Sequence, residues 1–130
     1  MRLIVGGRGQ GKRAYALQLV GCGEEDVADG ENCSLQDICR CRIFDGLHRW
    51  VRRELEAGRD PWPALVEAME SNPDMVILCD EVGCGIVPIE PFQRQWREET
   101  GRICCKLAQQ ARQVQRVYCG IATTLKEEKR

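Results

Sequence analysis

Residues 1–19 read MRLIVGGRGQGKRAYALQL. An apolar run at residues 3–5 breaks at Gly6, and residues 12–20 carry helix formers with Ala14, Leu17 and Val20 recurring at helical spacing. That is strand, glycine turn and helix. In this setting Gly6-x-x-x-x-Gly11-Lys12 has the form of a phosphate-binding loop. Its glycines let backbone N–H groups converge on phosphate oxygens, the helix N-terminus favours an anion, and Lys12 can reach the terminal phosphates. The candidate nucleotide-binding residues are Gly6, Gly7, Arg8, Gly9, Gln10, Gly11, Lys12 and Arg13; a plain glycine turn is the simpler alternative. The last position departs from the pattern. Such loops place a Ser or Thr there as a hydroxyl ligand for magnesium, whereas Arg13 cannot coordinate a cation and can only neutralise phosphate charge directly.

Working outward, residues 21–32 are acidic, glycine-bearing and without periodicity, which predicts an exposed loop. Ser34 is placed to cap a short helix through Cys39, and residues 42–45 predict a short strand ending in a carboxylate. Leu47, Trp50, Val51 and Leu55 outline a helix with Arg49, Arg52 and Arg53 mostly off its apolar face, where they read as a hydrated surface. Gly58 ends that helix. Asp60-Pro61 starts another, with Trp62, Leu65, Val66 and Met69 as its buried stripe. Residues 75–79, Met-Val-Ile-Leu-Cys, lack alternation and so predict a central strand covered on both faces. A Gly/Pro-punctuated loop follows at 82–91, then a long helix outlined by Phe92, Trp96, Ile103, Leu107, Ala111 and Val114, then a last strand at 117–121. Strands alternating with helices imply an α/β fold with a parallel sheet and right-handed crossovers.

The chain has 130 residues, the size of one domain. Lys plus Arg number 19 against 20 Asp plus Glu, a net charge of −1 that gives no electrostatic case for nucleic acid or a membrane surface as partner. The longest apolar stretches are four to five residues, so the sequence predicts neither a membrane span nor a secretion signal, and a cytoplasmic protein is the expectation. Nine cysteines, an odd number in a chain read as cytoplasmic, are expected as reduced thiols rather than a disulfide scaffold. Cys22, Cys33, Cys39 and Cys41 crowd a polar segment and are the candidates for a zinc site, although their spacing lacks paired C-x-x-C knuckles.

Carboxylates stand where a parallel sheet presents its ligands, at strand ends. Asp45 follows one predicted strand and Asp80-Glu81 another. Either group can hold magnesium through water or orient an attacking hydroxyl, as the second acidic motif does in triphosphate enzymes. Asp45 is balanced between that role and capping the next helix, while Glu81, inside the glycine-rich loop, favours function. His48 is the only histidine, so any phosphohistidine or nucleotidyl-histidine chemistry must use it. A solvated helix histidine is the bland reading.

The stretch DEVGCGIVPIEPFQRQWREETGRICCKLAQQARQVQRVYCGIATTLK, residues 80–126, resembles the bifunctional adenosylcobinamide kinase and adenosylcobinamide-phosphate guanylyltransferase family of cobalamin biosynthesis. Glu81-Val82-Gly83, Gly85-Ile86-Val87-Pro88, Arg97, Gly101-Arg102, Leu107-Ala108, Gly120 and Lys126 fall in register with the family pattern. Residues 5–13, VGGRGQGKR, are similar to its phosphate loop, and Asp45-x-Leu47-x-x-Trp50 is similar to its acidic-x-Leu-Thr-x-Trp element.

The resemblance implies a RecA-like P-loop NTPase fold, GTP or ATP as the bound nucleotide, a corrinoid substrate and a homo-oligomer, frequently a trimer. It also implies a kinase step on the aminopropanol hydroxyl and GMP transfer through a guanylylated histidine. The phosphate loop carries over to residues 6–13 and the nucleotide-contacting carboxylate to Asp45. The family's second strand and His-Arg-rich segment, however, would lie within residues 21–41, a shortened Cys-rich connection without a histidine. The guanylylated residue is therefore expected to be deleted. A register placing His48-Arg49-x-x-Arg52 on that segment sacrifices the Asp45, Leu47 and Trp50 matches. Cys104-Cys105 replaces the family's Asn-Gln. The sequence thus predicts a single P-loop domain, residues 1–130, that binds nucleotide, has lost guanylyl transfer and has an uncertain kinase step; the alternative is a non-catalytic nucleotide-sensing or assembly protein on the same fold.

Overall fold

The computed structural model describes residues 1–82 and 89–128. Residues 83–88, and with them the Gly83 and Gly85–Pro88 part of the family resemblance, lie outside the described residues. β1 (Arg2–Gly6) leads through the glycine loop into α1 (Lys12–Val20). A single 3-10 turn (Glu24–Asp26) precedes β2 (Val27–Asp29), followed by α2 (Leu35–Arg40), β3 (Ile43–Asp45) and α3 (Leu47–Glu56). Then come α4 (Pro61–Ser71), β4 (Val76–Asp80), α5 (Pro91–Gln110), β5 (Gln113–Tyr118) and β6 (Ile121–Glu127).

Local chemistry sets the element ends. The Ser34 hydroxyl accepts from the Asp37 N–H at 3.2 Å, while the Asp37 carboxylate accepts from the Ser34 N–H at 2.9 Å, a reciprocal capping box for α2. Asp60 caps α4 by accepting from the Trp62 N–H, and Pro61 and Pro91 occupy the first positions of α4 and α5, where no donor is lost.

The six strands form one sheet in the order β2-β3-β4-β1-β5-β6, parallel except for β6. β4 and β1 occupy the centre, as the unalternating run at 75–79 predicts. Alternate residues of these strands feed two cores. Leu3, Phe44, Ile77, Cys79 and Val114 face α2 to α5, meeting Ile38, Leu47, Trp50, Leu65, Ile103 and Leu107. Ile4, Ile43, Val76, Leu78 and Val117 face α1 through Ala16. Each large side chain fully withdrawn from water here contributes about 2–3 kcal/mol. Phe44 and Trp50 pack edge to face, with ring centroids 5.9 Å apart.

Three expectations are corrected. The loop expected at 21–32 contains edge strand β2, stabilised by pairing with β3 through Ala28↔Phe44 rather than by any local periodicity. The long helix ends at Gln110, so Val114 belongs to β5 instead. The closing strand is a hairpin, in which Cys119 (φ 52) and Gly120 (φ 74) make a two-residue turn of left-handed residues that suits the twist of β5 and β6. Among the described residues no helix is long and apolar enough to cross a membrane.

Candidate functional site

The loop between β1 and α1 sits at the C-terminal end of the parallel strands, where open α/β sheets bind ligands. Gly9 (φ 73) and Gly11 (φ 92) take left-handed conformations that side-chain-bearing residues rarely adopt. At Gly6 a Cβ would stand 2.5 Å from the Val117 carbonyl oxygen, so close packing against β5 requires glycine there. Gln10 fastens the loop to the β5–β6 turn: its side-chain oxygen accepts from the Cys119 N–H and its carbonyl from the Gly120 N–H, both at 2.8 Å. The N-terminus of α1 has no side-chain cap and no acidic residue in its first turn, which leaves its leading N–H groups and the positive end of the helix dipole for an anion.

Lys12 is 7% exposed. Its Nζ donates to the Gly7 carbonyl at 2.8 Å and the Gly6 carbonyl at 3.2 Å, and lies 2.7 Å from Asp80 Oδ1. Register explains the pairing, because Gly6 lies beside Asp80 across β1 and β4. The sequence reading took Asp80-Glu81 as one strand-end group and favoured a functional role at Glu81. The structure instead directs Glu81 to Arg116, with Oε1 2.9 Å from Nε, and brings Asp80 into the loop. The signal for Asp80 was its place as the last residue of the β4 strand, but only the strand register turns it toward Lys12.

Asp45 does join this constellation. Arg13 donates to Asp45 Oδ2 at 3.1 Å and also binds Glu24, while Arg49 Nη2 lies 3.9 Å from Asp45 Oδ1 and 3.4 Å from Asp29 Oδ1. Arg13 therefore supplies no oxygen ligand, and the two inward carboxylates, Asp45 and Asp80, each already face a cation. A cavity of about 220 Å³ opens among Arg8, Gly9, Gly11, Lys12, Arg13, Asp45, Arg49 and Asp80. A larger one, about 400 Å³, is lined by Glu25, Asp26, Asp29 and Asp37 against the single cation Arg40, an acidic balance that disfavours phosphate.

His48 is not the solvated residue expected of a helix surface. It is 7% exposed at the start of α3, where its Nδ1 accepts from the Asp80 N–H at 3.2 Å and its Nε2 lies 3.4 Å from Asp80 Oδ2. Burial holds its pKa below the ordinary histidine value, opposed by Asp80 and reinforced by Arg49 and Lys12. The arrangement suits a neutral ring with its proton on Nε2. The neighbouring arginines are likewise more than a hydrated face: Arg53 donates to the Gly30 and Cys33 carbonyls at 3.0 and 2.9 Å, and Arg52 lies over the Trp96 ring at 5.3 Å.

The four candidate zinc cysteines are not brought together. Cys33, Cys39 and Cys41 belong to the core on the α2–α5 face, whereas Cys22 packs on the α1 face. Among the described residues no group of three or more His, Cys, Asp or Glu side chains is arranged to hold a metal ion. Burial pushes the Cys41 thiol up to about 12, as expected of a core thiol that donates to the Ile38 carbonyl.

The profile of the family described as cobinamide kinase / cobinamide phosphate guanyltransferase matches residues 24–125. The chain belongs to this family. Its α/β architecture, a mostly parallel six-stranded sheet flanked by helices, is the P-loop-like fold of the cobinamide kinase family. The matched span takes in Asp45, His48 and Asp80, while the glycine loop precedes it and stands on its own geometry. Comparison with curated proteins gives no match.

Proposed function

We propose that this member of the cobinamide kinase family binds the phosphates of GTP or ATP on residues 6–13 in the cytoplasm, with guanylyl transfer lost. The observation that carries the reading is the uncapped N-terminus of α1 joined to a buried lysine held at 2.7 Å by Asp80. When phosphate arrives, Lys12 exchanges the Gly6 and Gly7 carbonyls for phosphate oxygens. Arg13 and Arg49 add charge at the rim, and the backbone N–H groups of the loop complete the cradle.

These residues fit phosphate better than they fit magnesium. The hydroxyl ligand is replaced by Arg13, and Asp45 and Asp80 are bound to cations of the chain itself. Nucleotide binding is therefore proposed not to need the metal. Loss of guanylyl transfer is supported by the lone histidine, both of whose ring nitrogens face Asp80 in a buried setting rather than offering a free nucleophile. A corrinoid alcohol is the proposed acceptor if phosphoryl transfer persists, and the homo-oligomer of the resemblance belongs to the same proposal. Arg13 at the metal position favours a second reading, a nucleotide sensor without turnover.

Thermal shift with GTP and with ATP, each with and without magnesium, tests the first reading. No rise in Tm under any of the four conditions overturns it. Phosphorylation of adenosylcobinamide separates enzyme from sensor, and a covalent GMP adduct seen by intact mass after incubation with GTP would overturn the loss of guanylyl transfer.

A further inference from the structure

We propose that Cys79 and Cys104 form a reversible disulfide site directly behind the phosphate loop, whose oxidation state is felt at Asp80 and His48. Cys79 is the penultimate residue of β4 and is 1% exposed, while Cys104 faces it from the middle of α5 and is partly exposed. Their Sγ atoms lie 3.6 Å apart across a separation of 25 residues. A disulfide requires about 2.05 Å, so the sulfurs must approach by only about 1.5 Å. β4 is held on both sides by β1 and β3, so this approach falls on the two side chains and on α5.

The site reaches the phosphate loop through one residue. The Cys79 Sγ now lies 3.3 Å from the Asp80 carbonyl oxygen, to which it donates. Drawing Sγ toward Cys104 weakens this contact at Asp80. Asp80 and His48 are themselves joined twice, so a change at one is carried to the other.

The reaction balances with a low-molecular-weight disulfide as oxidant. The Cys104 thiolate attacks one sulfur of that disulfide, breaking its S–S bond and expelling one thiolate. Cys79 then loses its proton and attacks the Cys104 sulfur of the mixed disulfide, expelling the second thiolate. Two protein thiols are oxidised, one external disulfide is reduced, and the two protons leave with the two released thiols. The polarity of the pair suits this order: contact with Cys79 holds the Cys104 thiol below its usual range, while the Cys104 contact and burial hold Cys79 well above it. Cys105 is exposed and adjacent in sequence, but lies about 100° further round α5, which makes it an internal control thiol.

The test uses the intact protein titrated with glutathione disulfide, read by mass, peptide mapping and proton NMR. His48 is the only histidine, so its ring signals report on the site without nucleotide and independently of whether the proposed nucleotide binding holds. The expected result is a mass lower by about 2 Da, a peptide linking Cys79 to Cys104, and His48 signals that move and return with reductant. Cys104→Ser abolishes both effects, and Cys105→Ser abolishes neither. Linkage of other cysteines, such as Cys33 to Cys41, a glutathione adduct alone, or a 79–104 link that leaves the His48 signals unmoved overturns the proposal. The peptide map of the unsubstituted protein decides the linkage even if Cys104→Ser fails to fold.

Discussion

Asp80 Oδ1 stands 2.7 Å from Lys12 Nζ, and the other oxygen of the same carboxylate stands 3.4 Å from His48 Nε2. One carboxylate thus holds both the lysine of the glycine loop and the only histidine.

Breaking this pair leaves an uncompensated charge. Loss of one partner of a fully buried pair costs about 3–5 kcal/mol, and since the Asp80 side chain is 23% exposed, Asp80→Ala is expected to cost about 2 kcal/mol in urea unfolding. Lys12→Ala is expected to remove the nucleotide-induced rise in Tm.

Arg13→Ser separates stability from binding. The Arg13 pairs to Glu24 and Asp45 are partly solvated, so the substitution is expected to cost under about 1 kcal/mol. It also releases Asp45 and restores a hydroxyl, so nucleotide titrations should become magnesium-dependent.

The buried, neutral His48 sets a pH dependence. Its folded pKa lies below the value near 6.5 that it has when unfolded, so below that value the unfolded chain binds the proton more readily than the folded one. The associated stability is complete above pH 6.5 and is lost as pH falls through the lowered folded value. Urea midpoints of the unsubstituted protein should drop more steeply on acidification than those of His48→Gln, with the difference confined to this window.

Gly6→Ala would drive a methyl group to 2.5 Å from the Val117 carbonyl oxygen. Overpacking of this kind costs about 1–3 kcal/mol. A loss of thermal stability is expected together with weaker nucleotide binding, because the loop leaves β1 at this residue.

Ser34→Ala removes the hydroxyl half of the capping box that starts α2. A cost of about 1 kcal/mol in denaturant unfolding is expected, with the loop cavity and nucleotide binding unchanged.

Residues 1–13 declare strand, turn and helix because apolar run, glycine placement and helix period all depend on near neighbours, and the residues of α2, α3 and α4 do the same. β2 was hidden because Val27, Ala28 and Asp29 carry no pattern of their own and become a strand only by pairing with β3. The β5–β6 hairpin was hidden because Cys119-Gly120 is not a common turn pair, and Cys119 is held at positive φ by its surroundings.

By itself the sequence determined the α/β class, the glycine loop between first strand and first helix that ends in Lys12-Arg13, and Asp45 as a strand-end carboxylate, since each is written in contiguous residues. Tertiary structure alone decided that Asp80 rather than Glu81 turns to Lys12, that His48 is buried against Asp80, and that Cys22 is parted from Cys33, Cys39 and Cys41 by the sheet. These depend on strand register and on which face of the sheet a residue meets, and both are settled by pairing between segments tens of residues apart.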